Sequence, residues 1–208
     1  MPAPAIPLDV ADIDAWLAAR SSNFRSQVRG ARRKAAARGL TVQEAPAQDI
    51  EAAVEALLRL HAARWDRRGG SDLPDGIDRM LVDAARELIP RGRMSLLRIA
   101  GGDATVAAML FVVAGRQMTY WNGGFDEDSA DLRPGIVTLV EATGRAIAAG
   151  CDRLDLGPGD APYKRRLADE EDALVTWALV PPGRGALRAR ALALARRAKR
   201  ELRRWRAA

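Results

Sequence analysis

Apolar positions along this chain follow two rhythms, one repeating about every 3.6 residues and one every second residue. The helical rhythm comes first. Phe24, Val28, Ala31 and Ala35 recur at spacings of four, three and four, with Ser22 or Asn23 able to cap the helix and Gly39 to end it. After the short alternating stretch LTVQEA, Asp49 caps a second helix running to about Arg68. In it Val54, Leu57, His61 and Trp65 share a face. GGSDLPDG breaks that helix, and a third turns Ile77, Leu81, Ala84 and Leu88 inward before PRG.

The period-two rhythm then takes over. MSLLRIA, ATVAAMLFVVA and QMTYWNGG read as three strands, and the gaps GGD and AGR are short enough for hairpins. This predicts an antiparallel meander. A loop, Phe125–Arg133, leads into an apolar helix ending at Gly150, and DRLDLG follows as a short strand. PGDAPYKRRLAD reads as a loop with a short helix, and ALVTWALV as a further strand. A last helix places Leu187, Ala191, Leu194, Ala198, Leu202 and Trp205 on one stripe.

Strand QMTYWNGG, the apolar helix and strand DRLDLG make one β-α-β unit, whose strands should be parallel neighbours. The expected fold is α/β, an α+β arrangement with a central, mostly antiparallel mixed sheet flanked by helices. The expected organisation is an N-terminal segment at 1–19, one domain at 20–183 and a basic amphipathic helix at 184–208.

Charge alters this picture by its placement. The net charge is +6, but residues 184–208 hold ten Arg/Lys against one acid, and residues 20–38 hold seven against none. The body between them is mildly acidic, so no basic cleft runs through the fold and nucleic acid is not the expected partner. The C-terminal helix is read first as docking on its own domain or a partner, and second as a peripheral membrane contact. At 48% hydrophobic residues the chain can bury a core. No secretory signal or bilayer-length run is evident, so the cytoplasm is the expected compartment. The lone Cys151 excludes an internal disulfide and a thiolate-rich metal site, and no His/Asp/Glu spacing predicts a metal.

DLRPGIVTLVEA poses the functional question. A helix N-terminus carries free N–H donors and roughly half a unit of positive charge, and at the end of a strand it is a ready anion socket. Pro134 suits the first turn, Gly135 lets a ligand approach the backbone, and Arg133 adds a guanidinium. The bland alternative is that Pro-Gly before a helix is ordinary punctuation.

The order of elements resembles the GNAT acyltransferase superfamily. The segment YWNGGFDEDSADLRPGIVTLVEATGRAIAAGCDRLDLGPGDAPYKRRL is similar to its CelD-like, cellulose-biosynthesis branch, which is related to Fem-type aminoacyl transferases. FRSQVRGARRKAAARGL and LHAARW look like the same branch, and the resemblance covers about residues 20 to 180. It implies a GNAT-like acyl-CoA N-acyltransferase fold. It also implies acyl transfer from acetyl-CoA or another acyl-CoA to an amine or hydroxyl, by direct attack. By the same resemblance the cofactor pyrophosphate would lie on Arg133, Pro134, Gly135, Ile136 and Val137, with Tyr163 donating a proton to the leaving sulfur. The acceptor would be a small molecule or a polymer precursor. Two other functions stay open: an aminoacyl-tRNA-dependent transferase of Fem type, and a non-catalytic basic module binding membrane or nucleic acid.

Asp155 sits inside an apolar strand, where a carboxylate is either a base with a perturbed pKa or a hydrogen-bonded anchor of the following loop. Tyr163 is either the acid or a rim tyrosine. Lys164 is either a contact for an anion or a solvated lysine. Trp121, Asn122 and Asp126 are candidates for the acceptor side, with Tyr120 or Trp121 facing the core. His61 reads as a core histidine, and Cys151 as a buried thiol in preference to a nucleophile.

Overall fold

The computed structural model describes residues 1–66, 70–71, 73–102, 104–159, 161–175, 177, 179, 183 and 185–207. They form two compact units, Met1–Leu174 and Val175–Ala208. The first opens with β1 (Pro2–Pro7), α1 (Ile13–Ala18) and α2 (Ser22–Ala37), followed by β2 (Thr41–Glu44), α3 (Ile50–Asp66) and α4 (Ile77–Leu88). The meander is β3 (Met94–Gly101), β4 (Ala104–Ala114) and β5 (Gln117–Phe125). Then come α5 (Pro134–Ala148), β6 (Arg153–Asp155), the single turn α6 (Pro162–Arg165) and β7 (Glu170–Ala173). The second unit holds α7 (Ala186–Ala207), the terminal helix expected from the periodicity; the side chains of Leu202 and Trp205 lie outside the described part.

Seven strands make one sheet in the order β2-β3-β4-β5-β6-β1-β7, and only β5 and β6 are parallel. That pair is the predicted β-α-β unit, bridged by α5. Alternation along the strands divides the core. Leu97, Met109 and Phe111 face α1, α2 and α5 on one side, while Met94, Leu96, Ala108 and Leu110 face α3 and α4 on the other. α5 is buried on most sides, including Val137, Leu139 and Val140, which makes it a rigid post between β5 and β6.

The first 19 residues belong to this unit, which differs from the expected boundary. β1 lies inside the sheet between β6 and β7 despite three prolines, because of how the prolines alternate. Residues 2 and 4 turn their backbone toward the β6 side, where the loop lends donors only: Leu156 N–H donates to Pro4 O at 2.9 Å and Gly159 N–H to Pro2 O at 2.9 Å. A residue without an N–H loses nothing there. Trp16 of α1 is buried against Phe24 with ring centroids 6.2 Å apart.

The basic helix α2 is part of the fold. Its buried stripe is Phe24, Val28, Ala31 and Ala35, as its spacing predicts, and Ser21 caps it by accepting from Phe24 N–H. Its charges meet the acidic body. Arg38 donates to both carboxylate oxygens of Asp131, at 3.1 and 2.9 Å, and Arg32 stands 3.6 Å from Glu141. Arg20, just ahead of the helix, forms a forked pair with Asp169.

The strand expected over ALVTWALV is absent among the described residues. β7 ends at Ala173, paired with Pro2, and Leu174 N–H donates to Met1 O, so the ladder stops where its partner stops. Thr176, Ala178 and Val180 of that stretch lie outside the described residues.

α3 crosses β5 at Gly124. A Cβ there would stand 2.5 Å from His61 N and closer still to the Leu60 carbonyl carbon, so only glycine permits the approach. Gly30, inside α2, has nothing within 4 Å of such a Cβ. Urea unfolding should therefore show Gly124→Ala destabilised by about 1–3 kcal/mol, from overpacking against backbone. Gly30→Ala should be stabilised by roughly 0.5–1 kcal/mol, from helix propensity. Equal effects would contradict this packing.

Candidate active site

The site lies where β5 and β6 part. Their ladder pairs Gln117 with Arg153, Met118 with Leu154 and Thr119 with Asp155, and then stops. Gly157 turns away from β5 in the left-handed region at φ 73°, and a Cβ on it would stand 3.1 Å from Tyr120 O. On the other edge of β5 the pairing with β4 slips: Phe111 pairs with Tyr120 and Leu110 with Asn122, leaving Trp121 unpaired in a β-bulge. The bulge re-aims its side chain, and Trp121 is 39% exposed. A cavity of about 290 Å³ fills the gap.

Three elements supply its polar groups: the last turn of α3 gives Arg64 and Trp65, the bulged part of β5 gives Trp121 and Asn122, and α6 gives Tyr163. Tyr120 packs into the core against Phe111, with ring centroids 5.7 Å apart, which settles which of the two aromatics faces inward. Burial pushes the Tyr120 phenol well above its ordinary range. The nearby Tyr163 adds to this and Arg64 opposes it. Burial also raises Tyr163, again against Arg64. Both phenols are therefore protonated donors at neutral pH.

Lys164 lines the cavity but is not solvated. It is buried, and its Nζ donates to Gly157 O at 3.1 Å and Pro158 O at 2.8 Å, 5.9 Å from the Tyr120 ring centroid. Burial lowers its pKa, which Asp155 opposes and Arg64 reinforces. Asp155 takes its anchoring alternative: it accepts from Gly157 N–H at 2.7 Å and from Gln117 Nε2 at 3.4 Å. Together the two residues fix the loop that turns away from β5. Asp126 lies off the cavity, capping the 3₁₀ turn Glu127–Leu132 by accepting from Asp128 N–H at 3.1 Å. Asn122 lines the cavity while its Oδ1 accepts from Gly123 N–H at 2.7 Å.

His61 is buried behind this wall. Its Nε2 is 2.9 Å from Ser71 Oγ, its ring is 5.9 Å from that of Trp65, and its Nδ1 faces Asn122 and Gly123 without a hydrogen bond of good geometry. Cys151 is buried at the opposite end of β6, where burial raises its thiol pKa, so it is no nucleophile.

The mouth of α5 lies across one side chain from the cavity. A Cβ on Gly123, which lines the cavity, would meet Met109 Cγ at 2.8 Å; one on Gly135 would meet Met109 Cε at 3.6 Å and nothing else within 4 Å. The approach to the Gly135 backbone is thus open. Pro134, buried at the first helical turn, has no N–H; the side chains of Ile136 and Val137 face the core, and their N–H groups donate to Arg133 O at 3.0 and 3.1 Å. Arg133 caps the helix at φ 47°, ψ 50° and is the one non-glycine residue with positive φ among those described. That conformation costs about 1–2 kcal/mol, and such strain concentrates at ligand sites. Arg133 Nη1 donates to Gln27 Oε1 at 3.1 Å, and Arg166 Nη2 donates to the same oxygen at 2.8 Å. Two guanidinium groups thus share one neutral acceptor beside a helix N-terminus, an arrangement matched to a diphosphate.

A model of a family described as an acetyltransferase (GNAT) domain matches residues 22–165. The chain belongs to this GNAT acetyltransferase family. No curated protein matches it. Its fold is similar to that of FemX, with a TM-score of 0.58 at 15% identity, over 77% of this chain and 54% of that one, so the chain spans about half the length of FemX. A predicted acetyltransferase with acetyl-CoA from Clostridium acetobutylicum gives 0.53 at 13% identity, over 67% of this chain and 95% of that one. An aminoglycoside acetyltransferase from an uncultured soil metagenomic sample, in complex with trehalose, gives 0.53 at 11% identity, over 70% and 98%. At these identities the likeness is one of fold. Family membership supports acyl transfer as the activity and acyl-CoA as the family's donor.

Within the GNAT frame, Arg64, Arg166 and Gln27 escaped the sequence reading. Arg64 adjoins Trp65 on a helix face read as core, and Arg166 follows the Pro-Tyr-Lys stretch. Gln27 meets both arginines only through the docking of α2.

Burial, the largest influence, depresses the His61 pKa below 6.5; Arg64 adds to this, while Asn122 and Gly123 oppose it. Below pH 6.5 the unfolded chain therefore binds more protons at this site than the folded one, and stability rises with pH across that window. Unfolding measured from pH 6.5 downward should show a loss of stability in the wild type and a shallower loss in His61→Gln. Parallel curves would contradict the burial of a neutral imidazole.

Proposed function

We propose that this GNAT protein transfers an acyl group, most simply acetyl, from acyl-CoA to the amine of an acceptor by direct attack, and that it stands in the CelD-like branch. The observation that carries this is the opened β5/β6 gap joined to the α5 mouth across Met109. Acyl-CoA supplies an activated thioester and a diphosphate that anchors it. Gly135 N–H and the positive end of the α5 dipole, with Arg133 and Arg166, are assigned to the diphosphate; Ile136 and Val137 complete the helix mouth by donating to Arg133 O. The thioester end lies along Trp121–Gly123 of β5, in the apolar part of the cavity.

Tyr163 is the acid. Its phenol is half-buried, protonated and on the cavity wall, and a donor placed there protonates the sulfur as the C–S bond breaks. Asp155 and Lys164 act as positioning residues that hold the loop bearing Gly157. Trp121 and Asn122 face the acceptor.

Calorimetry with acetyl-CoA tests the reading. Gly135→Glu has room for its Cβ, and its carboxylate should weaken binding about tenfold or more by repelling the diphosphate. Arg166→Ala should weaken it by a smaller factor. Tyr163→Phe should keep acetyl-CoA affinity and lower kcat about a hundredfold. Unchanged affinity in Gly135→Glu, or product formed only from aminoacyl-tRNA, would overturn the acyl-CoA reading.

A further inference from the structure

The cavity's charge is one-sided. Among the described residues that line it, Arg64 and Lys164 are cations and none is a carboxylate. Lys164 is committed to Gly157 O and Pro158 O, and the neighbouring carboxylate of Asp155 is held by Gly157 N–H and Gln117. Arg64 is different. Its Cζ stands 5.3 Å from the centroid of the Phe125 ring, and its Nε is buried without a hydrogen-bond partner. A buried guanidinium N–H left unmatched is costly and calls for an acceptor. The field of Arg64 spans the chamber: it acts on His61, Tyr120, Tyr163 and Lys164 alike.

A simple cationic amine fits such a chamber poorly, since two fixed positive charges oppose an ammonium and no carboxylate among the described lining residues receives it. An amine that also carries an anion fits well, its negative group meeting Arg64 while its nitrogen faces the thioester. Trp65 and Trp121, 38% and 39% exposed, flank the entrance and offer flat apolar faces to the acceptor's carbon frame.

We propose that the acceptor is an amine bearing a carboxylate or phosphate, and that Arg64 is the residue that binds this anion. The inference deepens the acyl-transfer reading and rests on it. It also accounts for the lack of a carboxylate base among the described lining residues. Lys164, whose charge the anion leaves unpaired, lowers the pKa of the acceptor's ammonium, which sheds its proton to water before reaction. The neutral nitrogen then bonds to the acyl carbon, and the C–S bond breaks. The sulfur takes the Tyr163 proton, and the proton released from nitrogen returns to the phenolate through water.

The test uses the full chain saturated with CoA and two matched probe pairs, glucosamine 6-phosphate with glucosamine, and alanine with alaninamide, titrated by calorimetry. In at least one pair the anionic member should bind about tenfold more tightly, the value of one charge-assisted hydrogen bond. Arg64→Gln should remove that preference and Arg64→Lys should keep part of it. In the wild type the preference should shrink as salt is raised, a readout that needs no variant. The absence of preference in both pairs, including no binding at all, or a preference that Arg64→Gln retains, overturns the anion subsite. If the chain takes up no CoA, the acyl-transfer reading falls and this inference falls with it. If CoA binds and probe charge makes no difference, only the subsite falls.

Discussion

The site depends on where the backbone donors beyond Asp155 go. Had the chain continued beside β5, Leu156 and Gly157 would have extended the parallel ladder and closed the sheet. Instead Gly157, whose N–H would next face β5, gives it to Asp155 Oδ1 at 2.7 Å, while Leu156 and Gly159 continue the β1 edge by donating to Pro4 and Pro2. Each such bond contributes only about 1 kcal/mol, but a buried donor without one loses more than that, and the single Gly157 N–H cannot serve both Asp155 and β5. β6 pairs with β5 and β1 alike as far as Asp155, and beyond that point the far half of β5 is paired only with β4. The bulge at Trp121 then turns an aromatic side chain into the opened space. The GNAT gap is thus a consequence of backbone accounting on both edges of one strand.

Burial does the chemical tuning. The two phenols stay protonated because water is excluded around them, while Arg64 limits how far they rise. Lys164 and Asp155 appear in the sequence as candidate chemistry, yet each is satisfied by the loop it holds. Their value lies in rigidity. A loop clamped at Gly157 and Pro158 presents α6, and hence Tyr163, at a fixed place on the cavity wall. The same logic applies at α5, where the buried helix body makes its mouth a fixed target and the strained Arg133 caps it.

Much of this was legible in the chain. The β-branched, apolar stretches MSLLRIA and ATVAAMLFVVA with their short gaps pointed to the meander, the Pro-Gly start located α5, and the β-α-β order made β5 and β6 parallel neighbours. Three things were not. β1 was hidden because prolines argue against a strand unless the neighbour's donors are known, and those come from residues about 150 positions away. The stretch ALVTWALV has a strand's rhythm, but pairing needs a partner, and β1 serves only Glu170–Ala173. Arg64, Arg166 and Gln27 matter through contacts between helices distant in sequence, which no local spacing reports. By contrast, the question of Tyr120 against Trp121 was posed by alternation and needed only the packing of Tyr120 on Phe111 to answer it.

Hydrogen–deuterium exchange of the chain with and without CoA tests the central claim most directly. If the parted strands and the α5 mouth receive the cofactor, protection should appear at the amides of Gly135–Val137 and of Trp121–Gly123, while the β3–β4 ladder stays unchanged. Protection confined to other segments, or none at saturating CoA, would contradict the account.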